Sequence, residues 1–480
     1  MIGGALLALL LGVALAAGWK ADGGRRVLFP LVLLYAALAY GVMLAFLTSV
    51  IPFSEGGDDR SYWLASQVRL RSLAAWLDFN QFHDFAQGGY PLLLAWVYQV
   101  SGPSLFVLKA VNVFFYLLLA VLWFRMGAEL GGRRTAYAFA LAVLLGTPLW
   151  TYWIFLLKDM SIVLLQSLFL LGAVRLGRGR GGPRSWVPMA VSTVLLIPFR
   201  IYLVLLHAGV VVATVVLAGK RSPVRKAALL LLATALLGGL ALLGGSREAL
   251  NAFGARGQDR TLNYETLRGV SEKYAEDRSK YSGPVGLVAF PLAYVFGETS
   301  GLRVGAGEPA SRGASQPEVV VGGLSALPWI FLGAPLFLYA LWIFFLRRLP
   351  RRFRPARRAS AWVRVPEPRP ALAMAGAPGT AHRPAAVLRP APAARPSPVE
   401  AGGDLLDRGW LPLFVFLVLY AVMAWLVEDT TRWRMPAFPV MAALAAQGWI
   451  WLKPRARTLL VGGWATTLAV LFTLYYGVLK

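Results

Sequence analysis

Residues 104–124 read SLFVLKAVNVFFYLLLAVLWF, and this apolar stretch decides the class of the fold. A helix needs about 20 predominantly apolar residues to cross a hydrocarbon core about 30 Å thick. The stretch has that length, and Lys109 is its only charged residue. It therefore predicts a transmembrane helix.

The same pattern recurs along the whole chain. Of the 480 residues, 58% are hydrophobic and 15% are charged, whereas about 25% of the residues in a soluble domain are charged. We therefore expect an all-α polytopic membrane protein with about twelve transmembrane helices. The candidate spans are 2–18, 27–51, 104–124, 135–153, 155–174, 186–199, 201–219, 227–245, 326–346, 409–427, 435–452 and 458–477.

The net charge of +25 indicates how the chain is oriented in the membrane. With an external N-terminus, six cytoplasmic connections hold 30 Lys and Arg residues against six Asp and Glu residues. These connections are 19–26, 125–134, 175–185, 220–226, 347–408 and 453–457. Such an excess is what the positive-inside rule expects. It favours anionic membrane lipid over nucleic acid as the electrostatic partner. The chain has 39 Arg and nine Lys residues, which suggests a GC-rich bacterial source. We therefore expect a bacterial cytoplasmic (inner) membrane location.

Composition divides the chain into three parts. Residues 349–407 contain eleven of the 30 prolines, together with many Ala and Arg residues, and show no helical or strand period. Such a segment buries too little apolar surface to offset its ordering entropy, so we expect a disordered cytoplasmic linker. It separates an N-terminal transmembrane core, 1–348, from the C-terminal transmembrane helices, 408–480.

Two classes of site are disfavoured. The chain has no cysteine and three histidines, which excludes disulfides, thiolate metal ligands and Cys nucleophiles and argues against a histidine zinc centre. We predict no resident metal site and no certain cofactor, although a divalent cation stays open.

Two regions on the predicted external side, 53–103 and 246–325, are too long to be simple turns. The first contains the adjacent carboxylates Asp58 and Asp59, followed by an amphipathic pattern that predicts an interfacial helix. His83 and Tyr90 follow. The alternative is that the two carboxylates only cap a solvated helix N-terminus.

Ionisable residues also interrupt or border the apolar runs. Charges at membrane depth are costly and commonly mark a lined cavity. The alternative is that neighbours such as Lys158 and Asp159, or Glu428 and Arg432, merely neutralise each other. By the topology above, all of these groups lie at the external face. They are Lys158, Asp159, Arg200, Glu428, Arg432 and Arg434.

Four short sequence elements, in their order along the chain, resemble those of the GT-C superfamily of membrane glycosyltransferases. The likeness is to the branch of protein O-mannosyltransferases and the lipid A aminoarabinose transferase. It covers less than a third of the chain. The elements are Gly57–Tyr62 after an early span, Gly89–Leu92 before the next span, Lys158–Asp159 in an apolar run, and Arg432–Pro439.

The resemblance implies a GT-C-like fold and transfer of a sugar, with inversion, from a polyprenyl-phosphate donor to a glycan, lipid or protein acceptor outside the cytoplasm. It implies that Asp58 or Asp59 is the catalytic base. The implied phosphate ligands are Lys158, Arg200, Arg432 and Arg434. The implied positioning or acceptor-binding residues are Asp159, Tyr62, His83, Tyr90 and Glu428.

Several features depart from the family pattern, so other functions stay open. The first span is extra, and a single proline, Pro91, follows Tyr90. One alternative is an envelope polysaccharide polymerase or an inactive GT-C-like assembly protein. A secondary transporter is a weaker alternative, because we see no repeated halves in the sequence.

We expect the 349–407 linker to face the cytoplasm and the 246–325 region to face outward. Thr380→Cys and Ser315→Cys place one thiol in each, on a background without cysteine. An impermeant maleimide added to intact spheroplasts should label Ser315→Cys, and should label Thr380→Cys only after lysis. External labelling of Thr380→Cys would reject the topology.

Overall fold

The computed structural model describes 2–23, 27–48, 62–64, 66–67, 89–146, 158–200, 202–218, 328–348, 409–427 and 436–478, with isolated positions 149, 156, 224, 228 and 295. Within these ranges the regular structure is helical, as the sequence predicts. The chain divides into two compact units, 1–341 with 406–480, and 342–405. The predicted linker, 349–407, and the predicted span at 227–245 lie outside the described residues, apart from position 228.

Eleven α-helices are described. They are α1 (Ile2–Ala21), α2 (Leu28–Thr48), α3 (Gly89–Ser101), α4 (Leu105–Leu144), α5 (Asp159–Gly177), α6 (Pro183–Leu196), α7 (Tyr202–Ala218), α8 (Ala334–Arg348), α9 (Leu411–Val427), α10 (Phe438–Trp451) and α11 (Pro454–Val478). A π-helical turn, Trp329–Gly333, leads into α8. Helices suit the bilayer because each one satisfies its own backbone hydrogen bonds.

Three of the described helices are long and apolar enough to cross a membrane. They are Ile2–Ala21, Leu105–Leu144 and Asp159–Gly177. Further apolar helices are shorter, including Leu203–Leu217 and Phe438–Trp451. The described part of the chain is therefore all-helical and contains candidate membrane spans.

Helix α4 is a helical hairpin rather than a straight rod. At Gly132 the backbone has φ 77° and ψ −161°, which breaks the helix into two arms. The arms are antiparallel: a Cβ added at Gly127 would lie 2.7 Å from the Cα of Ala136, and the Tyr116 hydroxyl donates to the Leu144 carbonyl at 2.5 Å. The predicted spans 104–124 and 135–153 correspond to these arms.

The first arm of the hairpin runs beside α5. The Trp123 indole N–H donates to the Ser167 hydroxyl at 3.0 Å, with both side chains buried. A buried indole needs such a partner. Helices α1, α2, α3 and α10 also pack on α4, while α6, α7 and α9 pack on α5. The α4–α5 pair is thus the centre of the bundle.

The turn of the hairpin is joined to the end of α1 by a buried carboxylate. Asp22 accepts hydrogen bonds from the Tyr137 hydroxyl at 2.6 Å, from Arg133 at 3.1 Å and from the first backbone N–H of α2, at Leu28, at 3.2 Å. Burial alone would raise the pKa of Asp22, but these hydrogen bonds outweigh it and lower the pKa below its usual value. Asp22 therefore links two of the connections predicted to be cytoplasmic.

The sequence predicts that 53–103 is an external region with interfacial helices in its first part. Helix α3, in the last part of this region, differs from that prediction because it packs into the bundle. The Gly89–Leu92 element opens a 13-residue helix whose Tyr90, Leu94 and Ala95 are buried. Of the predicted interfacial helix after Asp59, only positions 62–64, 66 and 67 are described, and 62–64 are helical. The apolar run after Tyr90 packs on α1 and α4, which explains why it forms a helix.

The contact of the two arms predicts that Gly127→Ala is destabilising. The added methyl would collide with backbone, and overpacking of this kind costs about 1–3 kcal/mol. The matched control is Gly12→Ala in α1, where an added methyl meets nothing within 4 Å. In detergent, Gly127→Ala should lower the melting temperature by several degrees, whereas Gly12→Ala should leave it unchanged. Equal melting temperatures for both variants would contradict the hairpin packing.

Candidate functional site

A buried ion pair joins the start of α5 to the turn before α7. One guanidinium nitrogen of Arg200, Nη2, lies 3.3 Å from Oδ1 of Asp159. Arg200 is 9% exposed and Asp159 2% exposed. In a low-dielectric environment two such charges are tolerated only when they are paired and hydrogen-bonded. The arrangement holds a fixed cation and a fixed anion together at one end of the bundle.

The local sequence explains where both charges lie. Helix α5 begins at Asp159, with Lys158 at the N-cap. A carboxylate in the first turn of a helix is favoured by the helix dipole. Pro198 follows the end of α6, and the Arg200 N–H donates to the Leu196 carbonyl at 2.9 Å, which closes the turn. The sequence placed Lys158 and Asp159 inside a span, whereas the structure places them at its N-terminal end.

A backbone contact ties this turn to α3. The Gly89 N–H donates to the Pro198 carbonyl at 2.8 Å. A Cβ at position 89 would lie 2.8 Å from that carbonyl oxygen, so the close approach requires glycine. This bond fixes the first turn of α3 beside the segment that carries Arg200.

Two tyrosines and an asparagine extend the site. The Tyr90 hydroxyl donates to the Asn112 side-chain carbonyl at 3.1 Å, and both residues are fully buried. The ring of Tyr62 packs edge-on against that of Tyr90, with centroids 5.1 Å apart. Tyr62, four residues after Asp58, therefore packs the segment that the sequence predicts to be external against α3 and α4.

Apolar side chains pack around Tyr90 and beside the segments that carry Lys158 and Arg200. A cluster of Tyr90, Leu94, Leu108 and Leu156 is buried, and Phe199 packs against it. Phe199 precedes Arg200, and Leu156 precedes Lys158 by two residues. The apolar surroundings lower the local dielectric constant and so strengthen the ion pair.

A further contact shows where Phe438, near the end of the Arg432–Pro439 element, lies in the structure. The Phe438 ring packs edge-on against Trp329 of the π-helical turn, with centroids 4.7 Å apart. A Cβ at Gly146 would lie 2.8 Å from the Phe438 ring, and the Trp329 indole donates to the Val295 carbonyl at 2.6 Å. Segments from four parts of the chain thus meet at the start of α10.

The structure brings together five of the residues predicted from the sequence. They are Tyr62 and Tyr90, in ring contact, the ion pair of Asp159 and Arg200, and Lys158, which is 7% exposed. The remaining predicted residues lie outside the described part of the chain. They are Asp58, Asp59, His83, Glu428, Arg432 and Arg434.

Sequence reasoning missed Asn112 and a second polar network within the bundle. His207 lies between the Thr193 hydroxyl, 2.8 Å from Nδ1, and the Gln166 side-chain carbonyl, 3.2 Å from Nε2. Its ring stacks on Phe169 at a centroid distance of 3.6 Å. Gln166 follows Asp159 by seven residues, and His207 follows Arg200 by seven. A search for uncharged polar residues within the apolar runs would have found Gln166 and His207, but not their contact.

Within the described residues, no group of three or more His, Cys, Asp or Glu side chains is placed to hold a metal ion. Comparisons with protein-family models, with curated proteins and with solved structures found no match to this chain.

The ion pair predicts how single and double substitutions of Asp159 and Arg200 change the stability of the protein. Removing one partner of a buried pair costs about 3–5 kcal/mol, because a charge is left without compensation. Arg200→Met and Asp159→Asn alone should therefore each lower the melting temperature strongly. The double variant Asp159→Asn/Arg200→Met should recover most of that loss, because neither member of the pair is left without its partner. A double variant at least as unstable as the two single losses combined would contradict a direct pair.

Proposed function

We propose that this chain is a membrane glycosyltransferase that moves a sugar from a polyprenyl-phosphate donor to a glycan, lipid or protein acceptor on the extracytoplasmic face. The observation that carries the proposal is the buried pair of Asp159 and Arg200, with Lys158 beside it, at one end of α5. A polyprenyl phosphate has its anionic head at the membrane interface and its chain in lipid. Its site therefore needs cations at headgroup depth beside apolar surface.

The position of the pair along α5 supports the proposal. Helix α5 has 19 residues, a length of about 28 Å at 1.5 Å per residue. Asp159 lies at one end, and Arg175, in an ion pair with Glu129, lies at the other. If the basic connections face the cytoplasm, the Asp159–Arg200 pair lies near the opposite membrane surface.

The contact of Tyr62 with Tyr90 supports a role for Asp58 and Asp59. It anchors the first external region beside the α3 helix, whose first turn is bonded to the Arg200 segment. In the proposed reaction, one of the two carboxylates takes the proton of an acceptor hydroxyl while that oxygen attacks the anomeric carbon. The bond from that carbon to the phosphate oxygen breaks, and the cations stabilise the departing phosphate.

The proposal includes an architecture of about twelve transmembrane helices in the bacterial inner membrane, with a GT-C-like arrangement of the external loops. The other functions make different predictions. A polymerase would change the length of a surface polymer, and an assembly protein would tolerate substitution of Asp58 and Asp59. A transporter would move its substrate without cleaving a sugar–phosphate bond. Mass analysis of polyprenyl-linked sugars and surface glycans in a deletion strain would identify the donor and distinguish these outcomes.

We expect Asp58→Asn or Asp59→Asn to remove proton acceptance while preserving shape. The rate of sugar transfer should fall by about 10²- to 10⁴-fold, the usual contribution of a general base. Binding of polyprenyl phosphate to the purified variant should survive. Asp404→Asn, in the predicted cytoplasmic linker, is the matched control and should transfer normally. Full transfer by Asp58→Asn, by Asp59→Asn and by the double variant would reject the assignment.

Arg200→Lys tests the donor site separately. Arg can bind a phosphate through two parallel N–H bonds, whereas Lys offers a single ammonium group. The variant should bind polyprenyl phosphate more weakly at an unchanged melting temperature. Unchanged affinity would remove Arg200 from the donor site.

A further inference from the structure

A second group of charged side chains lies at the end of α5 opposite Asp159. Arg175 Nε lies 3.1 Å from one carboxylate oxygen of Glu129, and Arg180 forms an ion pair with the other oxygen. Arg175 also donates to the backbone carbonyl of Arg184 at 3.1 Å. Arg125 lies one helical turn before Glu129 in the first arm of α4, so the two side chains project from the same face of that arm. We call Arg125, Arg175, Arg180 and Glu129 the arginine cluster.

The cluster has more cations than anions. It has three arginines against one carboxylate, and both oxygens of Glu129 are already engaged by Arg175 and Arg180. Arg125 is half-buried, and no carboxylate among the described residues lies within ion-pair distance of it. A desolvated guanidinium beside a like charge is stabilised by a bound anion.

The surface next to the cluster carries exposed Trp and apolar side chains, which suit the boundary between the headgroups and the acyl chains of membrane lipids. Two residues after Arg184, Trp186 is 48% exposed, and the adjacent Val187 is 56% exposed. Trp19, at the end of α1, is 42% exposed, and Asp22 ties this end of α1 to the turn of the α4 hairpin through Arg133. Exposed Trp side chains are typical of the membrane interface.

We propose that the arginine cluster binds the phosphate group of an anionic phospholipid. Guanidinium groups bind phosphate oxygens through paired, charge-assisted hydrogen bonds. In the predicted orientation the cluster faces the cytoplasmic leaflet, whose lipids carry the negative charge. The exposed apolar side chains of Trp186 and Val187 favour a lipid over a free phosphate, because they offer contacts to acyl chains. The site is separate from the proposed donor site, which lies at the other end of α5.

The test measures phosphatidylglycerol binding to the purified full-length protein in detergent by native mass spectrometry. Arg125→Ala/Arg180→Ala should weaken binding by about tenfold or more, equivalent to about 1.4 kcal/mol. The matched control, Lys453→Ala/Arg455→Ala, removes two charges from another predicted cytoplasmic connection and should change affinity little. Phosphatidylcholine should bind both variants and the wild type alike.

Competition separates the two sources of phosphate. Glycerol 3-phosphate and inorganic phosphate at millimolar concentration should leave phosphatidylglycerol bound, whereas displacement by either would show a site for a soluble anion and overturn the lipid proposal. Equal weakening in the control variant would indicate diffuse attraction and also overturn it. If the cluster variant melts early in phosphatidylcholine, the exposed single variant Arg180→Ala replaces it. Unchanged affinity in the folded cluster variant, or in this replacement, would reject the site.

Discussion

The cost of placing charge in hydrocarbon organises this protein. Helix α5 carries charges only at its two ends: Asp159 pairs with Arg200 at the first turn, and Arg175 pairs with Glu129 at the last. Between the two ends, two buried polar side chains of α5 form hydrogen bonds to other helices. Gln166 bonds to His207 of α7, and Ser167 bonds to Trp123 of α4. A charged side chain at the centre of a bilayer costs about 2.5–3.5 kcal/mol or more. The middle of α5 carries no charge and so avoids that cost in a membrane, and the two charged ends are chemically distinct.

Close backbone contacts fix the positions of the helices that carry these charged ends. The arms of the α4 hairpin meet at Gly127, and the first turn of α3 meets the Pro198 carbonyl at Gly89. In a lipid environment, helices associate through packing and hydrogen bonds, and small residues allow their backbones to approach. The first arm of α4 is joined to α5 at Trp123–Ser167 and at Glu129–Arg175, so a shift of either helix would disturb the packing on which the charged ends of α5 depend. Packing at the centre thus fixes the geometry at the surfaces.

The two ends differ in chemistry. At the Asp159 end, a buried ion pair lies beside aromatic and aliphatic side chains, an arrangement suited to a defined ligand. At the other end, arginines outnumber carboxylates and exposed Trp side chains lie nearby, as expected where a protein meets headgroups. The proposed donor site and the proposed phospholipid site share phosphate recognition, yet they differ in burial.

The sequence alone determined the class of the molecule, because hydrophobic run length directly reports the need to satisfy backbone hydrogen bonds in lipid. It also singled out Lys158, Asp159 and Arg200, since an ionisable residue within an apolar run is conspicuous without any structure. The tertiary structure decided that Asp159 pairs with Arg200, 41 positions away. It also decided that Asn112 receives the Tyr90 hydroxyl and that His207 joins Gln166. Such contacts depend on the rotation and depth of each helix, which packing at residues such as Gly127 sets and which no local pattern records.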